Sequence, residues 1–227
     1  MLKNSFRDLT RFERLLWACS LIVVTASFLL APAHDYLTLC ASLIGVTALI
    51  FVSKGYVLGQ VLTVVFALFY GVISYFFHYY GEMITYLCMT SPIALMSVIS
   101  WLRHPYEGTR EVSVRRLSKP LLLWLLFLTA IVTVAFWFIL DALGNANLLF
   151  STLSVTTSFL ASSLTFLRSP YYALAYSGND IVLIVLWILA SIENPAYLPM
   201  VLCFTMFLVN DMYGFFNWQR MQKRQSA

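Results

Sequence analysis

Residues 119–142 read KPLLLWLLFLTAIVTVAFWFILDA, with no charge between Lys119 and Asp141. About 20 apolar residues suffice to cross the hydrocarbon core of a bilayer. The two ends differ in sign, and that difference, followed outward, orders the whole chain. Similar apolar runs lie at 15–33, 36–52, 57–79 and 83–102 before this segment, and at 147–167, 171–192 and 197–218 after it. The sequence therefore predicts an all-α polytopic membrane protein with eight transmembrane helices.

Composition agrees. The chain is 61% hydrophobic and 11% charged, against about 45–50% and 25% in soluble domains. A water-soluble fold of this size cannot cover so much apolar surface. A soluble enzyme, a disordered regulator and a nucleic-acid binder are excluded. The lipid bilayer is the expected surrounding.

Each basic residue falls on one side of these spans. Lys3, Arg7, Arg11 and Arg14 precede span one, and Lys54 sits between spans two and three. Arg103, Arg110, Arg115, Arg116 and Lys119 mark the long loop before span five. Arg168 follows span six, and Arg220, Lys223 and Arg224 close the chain. The opposite connections carry Asp35, Glu82, Asp141 and Glu193 instead. By the positive-inside rule the basic side is cytoplasmic, which puts both termini in the cytoplasm. The first apolar run is too long for a cleaved signal peptide. Phe6, Leu9 and Phe12 among basic residues also allow residues 1–14 to form an interfacial amphipathic helix.

The chain also repeats weakly around span five. Ser100-Trp101-Leu102-Arg103 ends span four, and Asn217-Trp218-Gln219-Arg220 ends span eight. This alignment, 117 residues apart, also pairs Tyr70 with Trp187. Three helices joined through one linker keep both units in the same orientation. The expected architecture is a parallel 3+1+3 repeat with one extra N-terminal helix. Its divisions are 1–34, the N-terminal segment and extra helix; 35–102, the first unit; 103–143, the basic loop and linker helix; 144–219, the second unit; and 220–227, the tail.

Polar residues inside the spans mark the candidate site, because hydrocarbon makes them costly. Span three carries Gln60, Thr63, Tyr70 and Ser74 on one helical stripe, and span four carries Tyr86, Thr90, Ser97 and Trp101. Span six has Ser151, Ser154, Ser158, Ser162 and Thr165, a pattern that equally suits close helix packing. Span seven carries Tyr172, Tyr176, Asn179, Asp180 and Trp187; span eight carries Asn210, Asp211, Tyr213 and Gly214. Tyr172, Trp101 and Trp218 also suit an interfacial aromatic belt. Asp180 and Asp211 are read as the two acids inside the spans, without a basic partner there. Ser177-Gly178-Asn179-Asp180 suggests a local unwinding. Pro92, mid-span, suits a bend or a static kink. Cys19, Cys40, Cys88 and Cys203 have no metal-ligand spacing and are read as packing residues. His34, His78 and His104 lie at or beyond span ends, so no metal site, cofactor or catalytic residue is expected.

These residues resemble a known family. Phe51-Val52-Ser53-Lys54-Gly55, Tyr80-Gly81-Glu82-Met83, and Asn210-Asp211-Met212-Tyr213-Gly214 running to Asn217-Trp218 are similar to motifs of the PnuC vitamin transporters, in their nicotinamide riboside branch. The resemblance covers residues 37–220. It implies a bacterial inner-membrane transporter of nicotinamide riboside by facilitated diffusion, with cytoplasmic phosphorylation trapping the product. It implies a fold related to the SWEET sugar transporters and points to a homotrimer. The chain departs from the family's Trp-rich pore at Met89-Thr90-Ser91-Pro92 and Ser177-Gly178-Asn179-Asp180. Other vitamins, nucleosides or sugars on the same scaffold are therefore the alternative substrates. An intramembrane enzyme and a non-transporting membrane subunit are the alternatives from other classes.

The residue chemistry fits such a substrate. Tyr70, Tyr176, Trp187 and Tyr213 offer aromatic faces for a flat cationic ring. Gln60, Asn179 and Asn210 offer amides, and Thr90 a hydroxyl. Asp180 or Asp211 balances the charge. Rocking of the two three-helix units about this site would give alternating access.

Overall fold

The computed structural model describes residues 5–31, 35–76, 79–145 and 147–226. Lys3, His34 and His78 lie outside the described residues. Among the described residues, eight helices are long and apolar enough to cross a membrane. They are α1 (Arg11–Leu30), α2 (Tyr36–Ser53), α3 (Val57–Phe76), α4 (Tyr80–Arg103), α5 (Lys119–Ala142), α6 (Leu148–Phe166), α7 (Tyr172–Glu193) and α8 (Leu198–Gln225). Each expected span corresponds to one of them. Leucines, isoleucines and phenylalanines stand exposed around the bundle. A helical protein with such a surface belongs in lipid, where helices satisfy their own backbone groups.

Among the described residues of the N-terminal segment, 5–10, there is no separate interfacial helix. Residues 5–8 make a turn, and α1 begins at Arg11 with Thr10 as its N-cap. Thr10 and Glu13 form a capping box: the Thr10 Oγ1 accepts from the Glu13 amide, and Glu13 accepts from the Thr10 amide. Two otherwise orphaned donors are thus satisfied.

Helices α2 and α6 end in the same way. Gly55 and Arg168 both adopt left-handed backbone, at φ 69° and 59°. At the first, the Gly55 amide donates to Val52 O and the Tyr56 amide to Phe51 O. At the second, the Arg168 amide donates to Thr165 O and the Ser169 amide to Leu164 O. Both are Schellman caps, which favour glycine; Arg168 occupies this conformation against its Cβ. The long loop then runs across both turns. The Val112 amide donates to Gly55 O and the Arg115 amide to Arg168 O, each at 3.0 Å.

The ends of α4 and α8 brace these same two turns. Asn217 Nδ2 donates to Ser53 O at 2.8 Å, and Ser100 Oγ donates to Phe166 O at 3.3 Å. Trp101, Tyr172 and Trp218 are fully buried here rather than placed in a lipid-facing belt. The indole N–H groups of the two tryptophans are needed inside, where backbone carbonyls receive them.

Helix packing places α2 between α3 and α8, and α6 between α5 and α7, with α4 also lying against α6. Helix α5 packs mainly on α6 and leaves most of its apolar surface exposed. Helix α1 lies against α2 and α8. The serine stripe of α6 is buried along its length and bonds to neighbouring helices, as described below.

Two expectations fail within the helices. Residues 177–180 are not unwound: α7 is continuous from Tyr172 to Glu193. The irregularity lies in α4, where Thr85–Thr90 form a π-helical turn immediately before Pro92. A proline ring clashes with the carbonyl four residues earlier in an α-helix; the wider turn relieves this. Of the cysteines, only Cys203 packs inside, whereas Cys19, Cys40 and Cys88 are exposed.

Candidate functional site

A cavity of about 50 Å³ lies between α2, α3, α4, α7 and α8. Gly45, Ala48, Leu49 and Val52 form its α2 wall. Gln60, Thr63 and Phe66 come from α3, and Tyr86 and Thr90 from α4. Tyr172, Tyr176, Asn179 and Asp180 come from α7, and Phe204, Phe207 and Asp211 from α8. Small residues on α2 make the room. A Cβ at Gly45 would meet the Phe207 ring at 2.4 Å, so this glycine admits the aromatic residues that line the space.

Aromatic layers close the cavity at both ends. Toward the acidic end, Tyr70 and Tyr86 pack at a tilt of 57° with ring centroids 4.4 Å apart, and Phe66, Phe204 and Phe207 interlock beside them. Toward the basic end, Tyr172 packs edge-on against Trp218 at 4.8 Å.

The polar groups of the wall are held from outside. Asn179 Oδ1 accepts from Thr157 Oγ1 at 2.8 Å and from Ser158 Oγ at 3.0 Å. With its carbonyl so occupied, Asn179 has its NH₂ left as a donor for the cavity. Ser162 Oγ and Tyr176 OH share a hydrogen bond of 3.0 Å. Gln60 is buried at the wall, and the Thr90 hydroxyl there has no hydrogen-bond partner.

Asp180 and Asp211 stand on different helices, yet both line this cavity. Both are buried, and no ion pair reaches either among the described residues. The second oxygen of Asp180 is also unpartnered. The lining is thus apolar and aromatic, with an amide donor, hydroxyls and an acid pair converging on it. That combination suits a small polar molecule with a positive charge.

Six of the ten sequence-selected residues line this space: Gln60, Thr90, Tyr176, Asn179, Asp180 and Asp211. Tyr70 and Trp187 do not; they lie in the aromatic layers beyond it, where Trp187 packs against Tyr79 at 5.3 Å. Asn210 and Tyr213 face α1. Asn210 Nδ2 donates to Ser20 Oγ at 3.0 Å and to Met206 O at 2.7 Å. The Tyr213 hydroxyl donates to Glu13 Oε1 at 2.8 Å, and Lys54 Nζ reaches Glu13 at 2.9 Å. One helical stripe of α8 cannot place Asn210, Asp211 and Tyr213 on a single face.

Two buried acids escaped the sequence reading. Glu13 was hidden by its place in a basic segment, and its partner Lys54 is remote in sequence. Glu82, which the sequence places in a connection, is buried in the first turn of α4, where it accepts from Ser154 Oγ at 3.2 Å. The serine at 154, on a stripe read as packing, was the available signal.

Residues 35–220 match the family described as nicotinamide mononucleotide transporter. The chain belongs to that family. A nicotinamide riboside transporter PnuC from Neisseria mucosa is 28% identical over 99% of this chain and 87% of its own length. One from Haemophilus influenzae is 24% identical over 98% and 96% respectively. A crystal structure of the vitamin B3 transporter PnuC superimposes with a TM-score of 0.84 at 26% identity, covering 96% of this chain and 94% of that one. Members of this PnuC group are transporters, not enzymes, and the chain is a multi-pass membrane protein of that kind. The family match begins after α1, so the Glu13–Lys54–Tyr213 contact joins an element outside the matched region to two inside it.

Proposed function

We propose that this protein carries nicotinamide riboside across the bacterial inner membrane by facilitated diffusion, with alternating access about the central cavity. The observation that carries the reading is the cavity wall itself: an acid pair, Asp180 and Asp211, beside an oriented Asn179 amide and aromatic faces. The acid pair balances a pyridinium charge, the tyrosines stack on the ring, and Gln60 and Asn179 bond to carboxamide and ribose. The two relatives named as nicotinamide riboside transporters support the choice of cargo.

Small-molecule pockets usually exceed ~300 Å³, so a cavity of about 50 Å³ must widen to admit a nucleoside. Movement of α2–α4 against α6–α8, as the two units of a parallel 3+1+3 repeat about the linker α5, opens it to one side or the other. The matched caps at Gly55 and Arg168 support that repeat. The basic side faces the cytoplasm, with both termini there, and phosphorylation inside traps the product. The protomer assembles as a homotrimer. The test is uptake by reconstituted vesicles: labelled nicotinamide riboside exchanges against internal unlabelled riboside without ATP or an ion gradient, and thiamine, riboflavin and glucose do not compete.

A further inference from the structure

A second polar cluster, Glu82, Tyr70 and Trp187, lies outside the cavity lining toward the acidic end and meets the cavity at Tyr86. Glu82 is buried, at 3% exposure. Its Oε1 is held by Ser154, but its Oε2 has no hydrogen-bond partner. The Tyr70 hydroxyl and the Trp187 indole N–H, both buried, also have none. Buried polar atoms in native proteins are nearly always paired. Three orphans in one layer therefore point to something that visits them.

The surroundings narrow its chemistry. Glu82 stands one helical turn before Tyr86 on α4, and the Tyr86 ring lies 4.4 Å from that of Tyr70. No ion pair reaches Glu82 among the described residues. A carboxylate flanked by aromatic faces recognises an organic cation, because ring quadrupole and charge act on it together. The Tyr70 O–H and Trp187 N–H add donors for an acceptor such as a carboxamide oxygen. Glu82 belongs to the turn that leads into the π-helical Thr85–Thr90, a deformable place for a station that opens and closes.

We infer that Glu82, Tyr70, Tyr86 and Trp187 form an outer binding station for the positively charged aromatic ring of the substrate, adjoining the central cavity at Tyr86. This rests on the proposed transport of nicotinamide riboside. A cation arriving from the acidic end meets this carboxylate before it meets Asp180 and Asp211. Neutral rings of the same shape gain only the stacking.

The test is counterflow of labelled nicotinamide riboside in proteoliposomes, inhibited by 1-methylnicotinamide, a cation, or by nicotinamide, its neutral counterpart. In the wild type the cation should inhibit at about tenfold lower concentration, the scale of one charge–aromatic interaction. In Glu82→Gln that preference should fall to about threefold or less, and Glu82→Asp should retain it. A preference unchanged in Glu82→Gln, or an equal loss of inhibition by both compounds, overturns the inference. Should Glu82→Gln fail to fold, Tyr70→Leu takes its place: a cation preference reduced to about threefold or less supports the station, and an unchanged preference overturns it. Absence of any wild-type counterflow is a different result and contradicts the transport reading instead.

Discussion

The indole rings of Trp101 and Trp218 stand 5.5 Å apart, and each reaches across to the other half of the molecule. Trp101 Nε1 donates to Thr165 O at the end of α6, at 3.1 Å. Trp218 Nε1 donates to Val52 O at the end of α2, at 2.9 Å. The carbonyl of Thr165 also takes the Arg168 amide, and that of Val52 the Gly55 amide, so each tryptophan fastens a Schellman cap. Trp218→Phe leaves one lone pair of a buried carbonyl unsatisfied and should cost about 1–3 kcal/mol. Trp101→Phe should cost a similar amount. The double variant should fall short of the sum by about 0.5–1.5 kcal/mol, the scale of an aromatic pair. Thermal unfolding of the purified protein in detergent measures all three.

Glu13, Lys54 and Tyr213 tie α1 to the α2–α3 turn and to α8. Glu13 is almost fully buried and Lys54 nearly so. Lys54→Met leaves a buried carboxylate without its cation, which should destabilise by roughly 3–5 kcal/mol. Adding Glu13→Gln should restore part of that loss, since the uncompensated charge is gone. Unfolding temperatures of the single and double variants check the order; a double variant less stable than Lys54→Met contradicts it.

The cavity separates two kinds of polar residue. Asp180→Asn and Asn179→Ala alter the wall, and each should weaken nicotinamide riboside binding about tenfold, or ~1.4 kcal/mol. Asn210→Ala and Tyr213→Phe alter contacts with α1. They should lower stability by about 1–3 kcal/mol and leave the dissociation constant within about twofold. Calorimetric titration on the purified variants distinguishes the two groups.

At the basic end, burial pushes the Tyr56 phenol up to about 12, with Asp8 and Glu111 adding to the effect. An unfolded tyrosine titrates near 10. The folded state therefore holds this proton more tightly, and the resulting stability is complete below pH 10 and lost as pH rises toward 12. Tyr56→Phe should flatten the decline in unfolding temperature over that interval. The measurement is an unfolding series from pH 8 to 12.

Eight helices were legible because hydrocarbon leaves an apolar run of about 20 residues little choice, and the ends of 119–142 already showed it. The acids at 180 and 211 stood out for the same reason. Hidden from the sequence was the direction of each side chain. Asn210 and Asp211 are adjacent in the chain but face α1 and the cavity respectively, since neighbours on a helix point about 100° apart. Glu82 sat where an acid looks like a loop residue, and among the described residues the serine stripe of α6 gives it a buried partner. Ser177–Asp180 looked too polar for an intact helix. Hydroxyls from α6 hold Asn179 from the side instead, so the backbone has no reason to open.

The most direct measurement is counterflow of labelled nicotinamide riboside in proteoliposomes containing the purified protein. The account predicts transient accumulation driven only by internal unlabelled riboside, abolished in Asp180→Asn/Asn179→Ala and retained in Tyr213→Phe. No accumulation by the folded wild-type protein, or equal accumulation with the cavity variant, would contradict it.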